Sequence, residues 1–202
     1  MKKESGDIKV SPEPLTAVEK RYDRFEDDMQ RTLLESRTVF LTCEIALHSV
    51  ERTTKELTYV SLISKEPIKV VLNSVGGDVY AGLLIHDTIR RLVHQGIEVE
   101  VEARGLAASM GCIILQAGSK RTASKATRLM FHEISTWTFG EVTKVEDRAE
   151  ELRKLNDSLR DIIARRTGQK KETIDELCKK KDTWFSAEEA LEFGLVDEII
   201  ED

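Results

Sequence analysis

Residues 68–103 read IKVVLNSVGGDVYAGLLIHDTIRRLVHQGIEVEVEA, and this stretch decides the fold. Ile68–Leu72 is a short apolar run rich in β-branched residues, which reads as a strand. Asn73–Gly77 is a glycine turn, and a helix is expected from Val79 to Gln95, stopped by Gly96, a residue type that tolerates the left-handed conformation after a helix end. Ile97–Ala103 then alternates apolar and mostly acidic residues, the pattern of a strand with two unlike faces. A strand, a tight turn, a helix and a second strand in this order give an α/β chain.

Working outward, Thr38–Leu41 is another short apolar strand, and a helix over Ser49–Ser64 joins it to Ile68–Leu72 as a βαβ unit. A further strand-turn-helix runs from Arg104 to Ala117, and the strand Arg128–Phe131 ends at His132. A long helix follows from Val142 to Arg166, with Val142, Val145, Ala149, Leu152, Leu155, Leu159 and Ile162 at three- and four-residue spacing and Gly168 as its stop. The tail holds a capping box at Ser186–Glu189, a short helix ending at Gly194 and an expected last strand over Leu195–Asp197. In front stands an amphipathic entry helix from Ala17 to about Glu35, with Tyr22, Phe25, Met29 and Leu33 on one face, preceded by a charged arm. The expected division is an arm and entry helix over 1–32 and one domain over 33–202.

The 202 residues suffice for a domain with a sizeable core. Apolar residues at 40% and charged residues at 34% exclude fibrous and membrane-spanning classes. With 31 basic against 37 acidic residues the net charge is −6, which argues against a protein that grips nucleic acid by neutralising phosphates. Cys43, Cys112 and Cys178 are far apart and odd in number, so neither a disulfide framework nor a zinc site is expected, and no metal is assigned. No run of signal-peptide length precedes residue 33, and a cytoplasmic setting is expected.

Ser109 lies among small residues in Gly105-Leu-Ala-Ala-Ser-Met-Gly-Cys112, between an alternating strand and an apolar helix. A nucleophile elbow needs such a tight turn with small residues two before and two after the serine, here Ala107 and Gly111. The same residues would also suit close packing of a buried helix, so Ser109 is a candidate on pattern alone. Of the four histidines, His86 and His94 fall in a helix and His48 in a polar connection, whereas His132 closes a strand, where α/β folds place functional side chains. The orienting carboxylate is not chosen by spacing among 37 acidic residues. Asp182 is one candidate, at the switch from Lys179-Lys180-Lys181 to Thr183-Trp184-Phe185. The Ser74–Asp78 turn lacks the Walker lysine and the GxGxxG spacing, which disfavours nucleotide binding.

Taken together, Asn73–Gly77, Gly105–Gly111, Met130–His132, Arg166–Gln169 and Asp182 through Ser186–Asp197 resemble the proteolytic subunit of the Clp ATP-dependent proteases, the ClpP family of serine peptidases. The resemblance implies a crotonase-like α/β fold of repeated β-β-α and βαβ units, with a protruding handle over about 133–166. It implies a Ser109-His132-Asp182 triad, an oxyanion hole from the backbone N–H groups of Gly77 and Met110, and no cofactor, ATP being used by a partner AAA+ unfoldase. The family binds substrate as an added strand, here between Gly76-Gly77-Asp78-Val79 and a handle strand over 135–140 that includes Ser135, Thr136 and Trp137. It also implies stacked homo-oligomeric rings, a tetradecamer in the family, acting on polypeptides, with neither nucleic acid nor membrane as partner. Val75 stands in the turn where the family has proline, Glu133-Ile134 replaces Gln-Pro, and the charged arm replaces an apolar axial loop. These departures mark a divergent member, of a kind that would suit a phage-encoded copy. Two other readings remain open on sequence, a non-catalytic ring subunit and a crotonase-type acyl-CoA enzyme.

Overall fold

Parallel strands covered on both faces are built from nearly continuous apolar runs, and the chain supplies several. In the computed structural model the described residues are 17–135, 139–179 and 181–201, with side chains from residue 25 onward. The entry helix α1 spans Ala17–Glu35, followed by β1 (Thr38–Leu41), α2 (Leu47–Ile63), β2 (Ile68–Ser74), α3 (Val79–His94), β3 (Val99–Ala108) and α4 (Met110–Leu115). Then come β4 (Lys120–Ser124), β5 (Arg128–Phe131), α5 (Val142–Thr167), α6 (Lys171–Cys178), β6 (Thr183–Phe185), α7 (Ala187–Phe193) and β7 (Glu198–Ile200). The main sheet runs β1-β2-β3-β4-β7, all parallel, while β5 pairs parallel with β3 and antiparallel with β6.

β3 changes partner part-way. Its first half pairs with β4 at Glu100–Ala103, its last three residues with β5 at Leu106–Ala108. Thr127 fills the fork, its hydroxyl donating to the Ala103 carbonyl and accepting from the Gly105 N–H. This division carries the end of β3, where Ser109 follows, away from the main sheet and beside β5, where His132 follows. The core between sheet and helices holds Leu41, Leu57, Val70, Leu72, Ile85, Ile89, Val101, Ile114 and Leu115, all essentially without solvent contact.

The C-terminal strand differs from its sequence expectation. Leu195–Asp197 is not a strand; the Leu195 N–H turns back to the Ala190 carbonyl at 2.8 Å, so the apolar pair Leu195-Val196 is spent on the helix cap and the core, and pairing with β4 starts at Glu198. β4 and α6 have no counterpart in the sequence pattern, since KRTAS and KETIDELC carry few apolar residues to mark them. On α1, Phe25 and Met29 are exposed and Leu34 packs against the core, while the Tyr22 side chain lies outside the described residues. α5 buries only Asn156, Leu159, Ile162 and Ile163, all in its second half, and Val142 at its start is 73% exposed. Its first half therefore stands off this chain as a projecting helix.

Glu102 is buried on β3 and gripped by Arg104 and Lys69, the latter at 3.0 Å. Arg104, aided by Lys69, holds its carboxyl below the usual range against the opposing effect of burial. A depressed carboxyl stabilises the fold above its unfolded value near 4.5 and loses that contribution as pH falls through the folded value. Glu102→Gln is therefore expected to lose stability at pH 7 and to show a smaller further loss between pH 5 and about pH 3 than wild type, read by urea unfolding across that range.

Candidate active site

The turn after β2 is shaped by how closely the chain passes itself. Gly76 has φ 97°, and a side-chain carbon there would lie 2.6 Å from Ser109 Cβ and 2.9 Å from the Ala108 carbonyl oxygen. At Gly77, φ 146°, such a carbon would overlap the Ile45 carbonyl. Both glycines are thus required by backbone conformation and by space. Ile45 braces the turn from the far side, its N–H donating to the Gly76 carbonyl and its carbonyl accepting from the Asp78 N–H, each at 2.8 Å. Gly76→Ala is expected to destabilise the protein by at least about 1–3 kcal/mol and to slow any chemistry at Ser109, measured by thermal unfolding and probe labelling in parallel.

Ser109 sits at φ 54°, ψ −121°, a conformation sparsely populated by side-chain-bearing residues, directly before α4. The strain is held by neighbours: its N–H donates to the Met130 carbonyl at 2.9 Å, which ties the elbow to β5. One residue past that strand, His132 Nε2 lies 2.9 Å from Ser109 Oγ. The antiparallel register pairs Phe131 with Thr183, so the next residues outward, His132 and Asp182, face each other across the end of the β5–β6 ladder. His132 Nδ1 is 3.4 Å from Asp182 Oδ1, with the imidazole 25% and the carboxylate 57% exposed. The structure thus brings Ser109, His132 and Asp182 together in one line.

Among the described residues neither the Gly77 nor the Met110 backbone N–H has a hydrogen-bond acceptor. Both residues line a cleft of about 280 Å³ beside Ser109 and His132, with Val79, Ser135 and an apolar wall of Ile113, Leu159 and Ile163. Gly76 and Asp78 are turned elsewhere. The Gly76 N–H donates to Ser74 Oγ, and the Asp78 carboxylate caps α3 by accepting from the Ala81 N–H. Thr136 and Trp137 lie outside the described residues, and neither Ser135 nor Phe139–Gly140 is in a strand. Among the described residues no group of three His, Cys, Asp or Glu side chains could hold a metal ion, and no helix is long and apolar enough to cross a membrane.

Sequence reasoning names Glu133 only as a departure from the family pattern and gives Asn156 and Arg160 no place at this site. Glu133 accepts from Asn156 Nδ2 at 3.2 Å and Arg160 Nη2 at 3.1 Å, and the Ile134 N–H donates to Asn156 Oδ1. The signal is faint: Asn156 and Arg160, four apart, each follow a residue of the apolar stripe, Leu155 and Leu159, a spacing that puts both on one face of α5. The cleft also contains Cys178, whose thiol burial pushes up, and burial pushes Cys112, within α4, up to about 12, which disfavours either as a nucleophile.

The Clp protease family model matches residues 20–202. This chain belongs to the Clp protease family. ATP-dependent Clp protease proteolytic subunit 1 of Streptomyces avermitilis is 37% identical over 181 residues, covering 88% of this chain and 82% of the relative. The subunit of the same name from Chlamydia muridarum is 35% identical over 182 residues, 88% of this chain and 93% of the relative. In structure the chain is similar to a point mutant of ClpP1 from Listeria monocytogenes, with TM-score 0.76 and 34% identity over 86% of this chain and 96% of that one. The ClpP-type fold expected from the sequence is the fold observed.

Proposed function

We propose that this ClpP-family chain is a serine endopeptidase that hydrolyses peptide bonds of unfolded polypeptides inside a ring-shaped oligomer. The observation that carries the reading is the 2.9 Å contact between His132 Nε2 and Ser109 Oγ, at a strained elbow beside two N–H groups that have no acceptor among the described residues. Ser109 attacks the scissile carbonyl as His132 takes its proton; the Gly77 and Met110 N–H groups stabilise the tetrahedral oxyanion; Asp182 holds the imidazole tautomer and offsets its charge. His132 then protonates the leaving amine, and water hydrolyses the acyl-enzyme by the same steps in reverse.

Ile45 already occupies the Gly76 and Asp78 side of the diglycine segment, so an added substrate strand would pair with the opposite edge, at Gly77 and Val79. That shifts the expected substrate contacts toward Gly77 and Val79, with Ser135 across the cleft. The apolar residues on the projecting half of α5, together with exposed Phe25, Met29 and Leu62, favour association with further copies in stacked rings. In this reading the chain itself needs no cofactor, an AAA+ unfoldase hydrolyses the ATP, and the setting is cytoplasmic.

Native mass measurement beside a fluorogenic-peptide assay tests the assembly and the chemistry together. The reading expects a multiple of seven subunits that cleaves peptide; well-formed rings inert to peptide and to fluorophosphonates would instead indicate a non-catalytic subunit.

A further inference from the structure

The β5–β6 ladder ends at Phe131 and Thr183, so His132 and Asp182 lie just beyond its last pair, where a ladder frays. Something else must hold the two segments together at their open end. On the histidine side, Glu133 is bonded to Asn156 and Arg160, and the Ile134 backbone is bonded to Asn156. On the aspartate side, Arg160 Nη1 lies 3.3 Å from Asp175 Oδ1, a buried oxygen with no hydrogen bond among the described residues, on α6. The end of α6 is in turn fastened to β6, because Thr183 Oγ1 donates to the Leu177 carbonyl at 2.6 Å, beside Asp182.

Arg160 is thus the junction between the chain leaving the base and the helix leading to the carboxylate. Its guanidinium, 15% exposed, faces Glu133, Asp175 and, at 3.8 Å, Asp157. Three carboxylates around one cation would repel one another if that cation were lost, and the repulsion would push apart the segments that carry His132 and Asp182. We infer that Arg160, held between Glu133 and Asp175, is a positioning residue that sets the His132–Asp182 geometry. It touches no reacting atom. The inference rests on the serine-peptidase reading, because it concerns the alignment of that base.

The test measures kcat and KM on a fluorogenic peptide, and the second-order rate of fluorophosphonate labelling, for the full chain and its variants. Arg160→Met is expected to lower kcat and labelling by between tenfold and about 10²-fold, the scale of a misplacement near 1 Å, with KM changed less than about twofold. Glu133→Gln keeps an acceptor for Asn156 and Arg160 and is expected to retain most activity, whereas Glu133→Ala and Asp175→Ala each lower kcat. Because both act through Arg160, the double variant is expected to lose much less than the product of the single effects, with thermal midpoints close to wild type in the singles. Glu133 and Asp175 are both half-exposed, so this cycle decides the matter even if Arg160→Met fails to fold. Arg160→Met at wild-type rates, or independent Glu133 and Asp175 effects, would overturn the inference while leaving the peptidase reading intact. Wild type without Ser109-dependent labelling would overturn the peptidase reading, and the inference with it.

Discussion

Ser109→Ala is expected to abolish fluorophosphonate labelling and to lower peptide hydrolysis by about 10⁴-fold or more, while ring mass and thermal unfolding stay close to wild type. The large effect follows from the site. Ser109 Oγ is the one hydroxyl within 2.9 Å of the imidazole among the described residues, and burial pushes the Cys112 and Cys178 thiols up, which makes them poor substitutes for it. The assembly should persist, because the elbow is held by the Ser109 N–H to Met130 bond, which alanine keeps. Alanine at φ 54° is strained much as serine is, so stability should change little. Hydrolysis that survived the substitution would point to another chemistry, such as that of the crotonase-type acyl-CoA enzymes, which do not need a serine at this elbow.

Asp182→Asn is the second large effect, expected at about 10³-fold on kcat with KM nearly unchanged. An amide at 3.4 Å from His132 Nδ1 can donate where the carboxylate only accepts, which favours the tautomer that leaves Nε2 protonated and unable to take the Ser109 proton. The carboxylate is 57% exposed, so water shares in stabilising the imidazolium and the loss should fall short of the loss of the serine. Steady-state kinetics of the two variants on one peptide give the comparison directly: Asp182→Asn equal to wild type would remove Asp182 from the mechanism.

The parts of this site that were legible in the sequence are those fixed by local chemistry. Gly76 and Gly77 take positive φ, the small residues around Ser109 permit its tight turn and His132 closes an apolar strand, so each leaves a mark in a short window. Asp182 left only a weak mark, the switch from Lys179-Lys180-Lys181 to Thr183-Trp184-Phe185. It reaches His132 only through the pairing of Phe131 with Thr183, two residues far apart in the chain; its neighbours make it one candidate among many, and the family resemblance is what selects it. Arg160 was missed because its partners are spread over three segments, at 133, 157 and 175, and a charged residue on a long charged helix looks like solvation.

The fold shows the same division. Most strands and helices lie near where their residues indicated, α1 and β5 among them, but Leu195–Asp197 is no strand and β3 runs on as one strand through Arg104 to Ala108. β4 pairs on both edges, with β3 and β7, so its place in the sheet depends on distant ladders rather than on its own polar sequence. Leu195-Val196 reads as a strand because it is apolar, but burial of a helix cap calls for the same residue types. The acidic alternation at Glu98, Glu100 and Glu102 did mark a strand, yet Glu102 is buried and paired rather than solvated.

The central claim is that Ser109 is the nucleophile, and peptide-level mass spectrometry of the fluorophosphonate-treated full chain tests it most directly. The account predicts a single phosphonyl adduct on the peptide containing Ser109, absent when Ser109 is replaced by alanine. An adduct on another residue, or no adduct on assembled wild type, would contradict it.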